Sequence, residues 1–151
     1  MTNIFASKLQ RSLLAGVFAI GALASASHAV AQEAVMVNVP FDFQNGLGHF
    51  PAGTYRIELQ PGHMMQLRAT TSNVSGFSIA YPEERLKAPE TGKVVFQRYG
   101  NHVYIREVWI AGETTGYRCP TSRNEQHDQK LLIANTSKAP STIEVALDAH
   151  R

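Results

Sequence analysis

Residues 93–110 read KVVFQRY-GN-HVYIREVWI, and this stretch decides the fold. Two runs, Lys93–Tyr99 and His102–Ile110, are rich in the Val, Ile, Tyr, Phe and Trp that fit a pleated, half-buried surface. Between them stands Gly100-Asn101. A two-residue Gly-Asn loop suits a tight primed turn, because both residues tolerate positive φ. The turn sets a register in which Tyr99 faces His102, Phe96 faces Ile105 and Val94 faces Glu107. Alternate side chains of a strand point to opposite faces. One face then carries Val94, Phe96, Arg98, Val103, Ile105, Glu107 and Trp109; the other carries Lys93, Val95, Gln97, Tyr99, His102, Tyr104, Arg106 and Val108. The first is the better core face.

The same period of two recurs on both sides of the hairpin. Upstream, Val35, Val37, Val39, Phe41 and Phe43 alternate with mostly polar residues, and Pro40, which has no N–H to donate, suits an edge or a bulge. Gln44 to Gly53 reads as a loop. Tyr55, Ile57 and Leu59 alternate next, and Pro61-Gly62 fits the centre of a turn. Met65, Leu67 and Ala69 share a side, Phe77, Ile79 and Tyr81 mark another strand, and Pro82 to Thr91 is a charged loop. Downstream, Ser122-x-x-Glu125 has the form of a capping box. A helix is expected from Arg123 to Ala134, docked through Leu131 and Leu132 and ended by Asn135. Ile143, Val145 and Leu147 restore the alternation in a last strand that can pair with the first and hide an edge. The expectation is an all-β, mainly antiparallel fold: a small β-barrel or β-sandwich of about seven strands with one helix on its C-terminal side.

The first 31 residues have a different character. Lys8 and Arg11 precede an apolar run, Leu13 to Leu23, and small residues lead to Ala29-Val30-Ala31. This is the layout of a secretory signal peptide, with cleavage expected after Ala31. The apolar run is too short to span a bilayer, which takes about 20 residues. The chain thus divides into a signal peptide, 1–31, and a single β-rich domain, 32–151, with no transmembrane segment after cleavage and a secreted or periplasmic destination. Of 14 basic residues two lie in the leader, so 12 basic residues face 12 acidic ones in the mature chain. Basic and acidic residues are interspersed, which argues against nucleic acid as a partner. The one cysteine, Cys119, forms no internal disulfide, so the fold rests on apolar burial.

Several of these stretches form a joint pattern: Val37-Asn38-Val39-Pro40-Phe41-Asp42-Phe43, then Pro51-Ala52-Gly53-Thr54-Tyr55, then Glu107-Val108-Trp109. It resembles that of a group of small, secreted, uncharacterised bacterial β-rich proteins with V-x-V-P-F-x-F, P-A-G-x-Y and E-V-W motifs. The likeness covers most of residues 35 to 125. The motifs are turns and core positions, so the resemblance implies a shared β fold and no activity. It also favours a buried, structural Cys119.

Residues that carry chemistry are sparse. Glu107 falls on the core face in the expected register, where an ionised carboxylate needs a donor or a raised pKa. With Trp109, Phe96 and Arg98 it makes a candidate ligand pocket; the opposing reading is a rim position, or a bulge that turns Glu107 outward. His63-Met64-Met65 has soft-metal donors but reads better as turn and core. No G-x-S-x-G elbow and no glycine-rich loop opening a helix is present. No catalytic residue, metal site or cofactor is assigned. The expected function is a non-enzymatic binding or interaction module of the envelope or the exterior, whose partner is a small apolar ligand or an envelope protein. A structural protein without a pocket is the alternative, and a small hydrolase the least favoured. A hollow interior lined by Phe96, Glu107 and Trp109 would favour the ligand; a filled interior with a free sheet edge would favour the protein partner.

Overall fold

Burial alternates along Ala34–Val39 and Met64–Ala69 of the computed structural model, which describes residues 34–46, 48–136 and 139–148. The leader and its Ala31 cleavage point lie outside these residues. In chain order the strands are β1 (Ala34–Val39), β2 (Phe43–Asn45), β3 (Gly48–Phe50), β4 (Gly53–Gln60), β5 (Met64–Ala69), β6 (Ser75–Ile79), β7 (Tyr81–Glu84), β8 (Lys93–Tyr99), β9 (His102–Trp109), β10 (Thr115–Arg118) and β11 (Ser141–Ala146). Among the described residues one helix, α1 (Arg123–Thr136), precedes β11. No helix among the described residues is long and apolar enough to cross a membrane.

The strands form two sheets, β1-β4-β5-β6 and β11-β8-β9-β10-β7, with the β2–β3 hairpin attached to β9 by one parallel bridge from Gln44 to Tyr104. All other pairings are antiparallel. The all-β expectation with one late helix holds, in the form of two stacked sheets and not a closed barrel. Among the described residues eleven strands stand in place of the expected seven. The additional ones, β2, β3, β7 and β10, have three or four residues each, too few side chains to write a period of two. β7 starts at Tyr81, read as strand, and continues through Pro82–Glu84 of the stretch read as a charged loop; Pro82 fits there because β7 is an edge strand.

Val35, Val37, Tyr55, Ile57, Met65 and Leu67 from one sheet meet Val94, Phe96, Val103, Ile105 and Val108 from the other in a single buried cluster. Phe43 stands at its centre, stacked on Phe50 at 5.2 Å and edge-on to Tyr55 at 5.2 Å and Phe96 at 5.3 Å. Such aromatic pairs add about 0.5–1.5 kcal/mol each beyond area burial.

The decisive hairpin folds as read up to Ile105. Tyr99 faces His102 and Phe96 faces Ile105, and Gly100 takes φ 59° at the first turn position. Beyond Ile105 the register breaks. Val95 pairs with Glu107 and Val94 with Val108, so Arg106 is the extra residue of a β-bulge. The bulge exchanges the two faces: Val108 enters the core, while Glu107 and Trp109 move to the outer side of the sheet. The cause is energetic, since an unpaired carboxylate between the sheets is far costlier than one unpaired ladder position.

The helix keeps half of its capping box. The Glu125 N–H donates to Ser122 Oγ at 3.1 Å. The Glu125 carboxylate turns instead toward the sheet, where Tyr99 Oη and Arg106 Nη1 each donate to it at 3.3 Å. Leu131 is 46% exposed and does not dock the helix; Glu125 and Asp128, three residues apart on one face, do. The helix also runs through Asn135 to Thr136 instead of stopping there.

At one margin of the sandwich, Val37 of β1 forms a bridge with Leu147 just beyond β11, and Asp148 N–H donates to Met36 O at 2.9 Å. The last strand thus covers the first as expected, although its own ladder is with β8. The other margin lies along β6, the unpaired end of its sheet.

Candidate functional site

The four residues expected to form a pocket are dispersed. Phe96 is fully buried in the core and Arg98 is exposed toward the turn end of β8. Glu107 and Trp109 remain together, on the outer face. Trp109 Nε1 and Arg85 Nη2 donate to Glu107 Oε2 at 2.7 and 3.0 Å, and Arg118 Nη2 donates to Oε1 at 2.9 Å. Arg118 also forks onto Glu83, with both contacts at 2.6 Å. The Arg85 guanidinium lies 3.7 Å over the indole, and a Cβ built on Gly116 would fall 2.4 Å from the same ring. Gly116 therefore leaves the space Trp109 occupies, and Arg85 covers the other side. Charges here are matched within the cluster, which makes it a clamp tying β7, β9 and β10 together.

A second polar group lies under α1. Asp128 Oδ2 accepts from Tyr104 Oη at 2.6 Å and stands 2.6 Å from His102 Nδ1. Arg106 Nη1 donates to Thr121 Oγ1 at 2.9 Å as well as to Glu125. Burial, then the hydrogen bond to Asp128, pushes the Tyr104 hydroxyl well above its ordinary range. Burial likewise raises Glu125, against the opposing pull of Arg106. The His102–Asp128 pair has the form of a relay, but the depression beside it is lined by Tyr99, Gly100, Asn101, Leu131 and Leu132 and supplies no hydroxyl or thiol nucleophile of the Ser or Cys type. Among the described residues no three His, Cys, Asp or Glu side chains gather as metal ligands. His63 sits in a turn at φ 62° and Met65 in the core, so they do not share a face. Cys119 is buried, and burial pushes its thiol up to about 11, which leaves it protonated and unreactive.

A cleft of about 600 Å³ lies along β6, within the size range of ligand sites. Its origin is local. β10 runs antiparallel to β7 as far as Arg118 opposite Tyr81. In that register Pro120 falls opposite Ile79, and proline has no N–H with which to continue the ladder. The chain parts from β6 and starts α1, leaving Phe77–Ile79 as one wall and Pro120–Asn124 as the other, with Asn45 and Gly46 between. Asn45 Nδ2 donates to Phe77 O at a long 3.4 Å, and Ser78 shares a side-chain hydrogen bond with Cys119, next to Pro120. The Phe77 carbonyl points away from β5. By the alternation of antiparallel ladders the Ile79 backbone faces the same way, whereas the Ala80 N–H turns back to His63 O at 2.8 Å. Phe77 and Ile79 are 45% and 46% exposed.

Sequence reasoning treated Phe77 and Ile79 as ordinary strand residues and missed this cleft. One signal was available: Thr70 to Pro82 contains no charged residue. Compared with protein-family models, curated proteins and solved structures, the chain matches none significantly, so the geometry carries the functional reading.

Proposed function

We propose that the mature chain is an exported, non-enzymatic interaction module that engages a protein partner at its open margin. The supporting observation is the pairing of a filled interior with an unguarded edge. Phe43, Phe50, Tyr55 and Phe96 pack on one another between the sheets, which favours a partner at the surface over a small apolar ligand in the interior. β6 meanwhile turns the Phe77 and Ile79 backbone away from β5, with only side-chain donors, Asn45 at 3.4 Å and Ser78 at 3.2 Å, on the two carbonyls, and it offers two exposed apolar side chains and no charge of its own beside a ready cleft. Natural proteins block such edges with charges, proline or a covering element unless they use them. The leader of basic residues, apolar run and Ala29-Val30-Ala31 supports export. The resemblance to small secreted bacterial β-proteins agrees with it.

Native mass spectrometry of the processed protein, isolated from its own host, tests this reading. A polypeptide that travels with the wild type and is lost on Ile79→Lys is the expected result. A bare monomer, or a bound small molecule with no polypeptide, would overturn it.

A further inference from the structure

Resting on that reading, we propose that the cleft takes a short extended segment of the partner, which adds to β6 as a fifth strand and presents a side-chain carboxylate to Arg123. Each part follows from the walls. Phe77 and Ile79 hold their backbone groups toward the cleft in the spacing that an added strand requires, and the Phe77 carbonyl meets a side-chain donor there, Asn45, at 3.4 Å. The exposed side chains of Phe77 and Ile79 stand on one face of β6 and offer apolar neighbours to alternate residues of the incoming strand.

The charge on the opposite wall selects the segment. Among the lining residues Arg123 is the one cation and none is an anion. Its guanidinium pairs with no described carboxylate, in contrast to Arg56, Arg85, Arg106 and Arg118. Arg123 and Asn124 also begin α1, whose dipole adds positive potential at that end. The walls run along the body of an inserted strand and not at its tip, so the matching carboxylate belongs to a side chain. A second copy of this chain fits less well. Pairing β6 with β6 about a two-fold axis brings no carboxylate to either Arg123, because Thr70 to Pro82 carries none.

The test uses the processed chain and a peptide of alternating valine and threonine with one central glutamate, acetylated and amidated so that this is its sole charge. Titration followed by amide chemical shifts is expected to move Phe77–Ile79 and Ser122–Asn124. The glutamate peptide should bind about fivefold more tightly than its glutamine counterpart at low salt, the effect of one exposed ion pair of about 1 kcal/mol. Arg123→Gln should abolish that difference and leave the glutamine peptide's affinity as it was. Ile79→Pro, which removes an edge N–H, should weaken both peptides with the far-ultraviolet spectrum unchanged. No shifts at millimolar peptide, shifts confined elsewhere, equal affinity of the two peptides, or peptide-free dimerisation through β6 would each overturn the inference. A host polypeptide retained by both wild type and Ile79→Pro would overturn it too, while leaving the interaction reading standing. A bare monomer from the host would remove that reading itself.

Discussion

At one margin of the sandwich Leu147 reaches across to Val37 and the Asp148 N–H meets the Met36 carbonyl, so the two sheets are joined by backbone. At the other, β6 and the segment from Pro120 face each other over about 600 Å³, linked by side chains, with Asn45 bonded to Phe77 and Ser78 to Cys119. The neighbouring edge strand sharpens the contrast. β7 follows β6 after one residue, yet it carries Pro82, Glu83 and Glu84, the residue types that discourage further pairing. β6 carries none of them. The same domain therefore closes one margin, guards a second edge and leaves a third bare, which separates the requirements of folding from those of binding.

Four experiments test that separation. The largest effect is expected at the packed floor common to both margins: Phe43→Ala should cost about 3–5 kcal/mol, read as a lower urea midpoint with an unchanged slope. At the closed margin, a Cβ on Gly92 would lie 2.8 Å from Leu147 Cδ1 and 3.2 Å from the backbone of Trp109 and Ala111. Gly92→Val should cost about 1–3 kcal/mol by overpacking; a neutral result would mean that this margin is looser than its contacts imply. The helix that borders the cleft supplies a smaller, pH-dependent effect. Because burial raises the Glu125 carboxyl, the native state holds this proton more tightly than the unfolded chain does. The contribution to stability is full below the ordinary glutamate range and declines as pH rises through the raised native value. Glu125→Gln should flatten the fall in denaturation free energy between mildly acidic and neutral pH, and an unchanged slope would count against a buried, raised carboxyl. The smallest stability effect belongs to the open margin. Ile79→Lys should shift the free energy by less than about 0.5 kcal/mol while eliminating partner capture, and a large loss of stability would show β6 to be structurally committed.

Much of the fold was legible because long strands write their burial as a period of two. Val35 to Val39 and Tyr55 to Leu59 follow it directly, and the hairpin keeps the read pairing as far as Ile105, although Val95 and Tyr104 on its second face are buried too. The bulge was legible only as one of the alternatives for Glu107, because Ile105 with Trp109 and Ile105 with Val108 are both workable apolar sets, and one added residue chooses between them. The adjacent charges Arg106-Glu107 inside an alternating strand are the trace it leaves in sequence. Short strands such as β3 and β10 leave no period at all. The open cleft was less legible still: its walls come from Asn45, Phe77–Ile79 and Pro120–Asn124, far apart in the chain, and they are brought together only by the crossing from β6 to β7. The charge-free run Thr70 to Pro82 was visible, but composition alone does not tell a bare edge from a covered one.

The arrangement around Trp109 has an optical consequence. It is the chain's only tryptophan, fully enclosed between Gly116 and Arg85 with its indole nitrogen bound to Glu107. Emission excited selectively at the red edge of the indole band, clear of the five tyrosines, therefore comes from one chromophore in one buried setting, bluer before denaturation than after. Because Trp109 does not line the cleft, the same light reports the integrity of the domain while a partner comes and goes, serving as an internal control for every variant above.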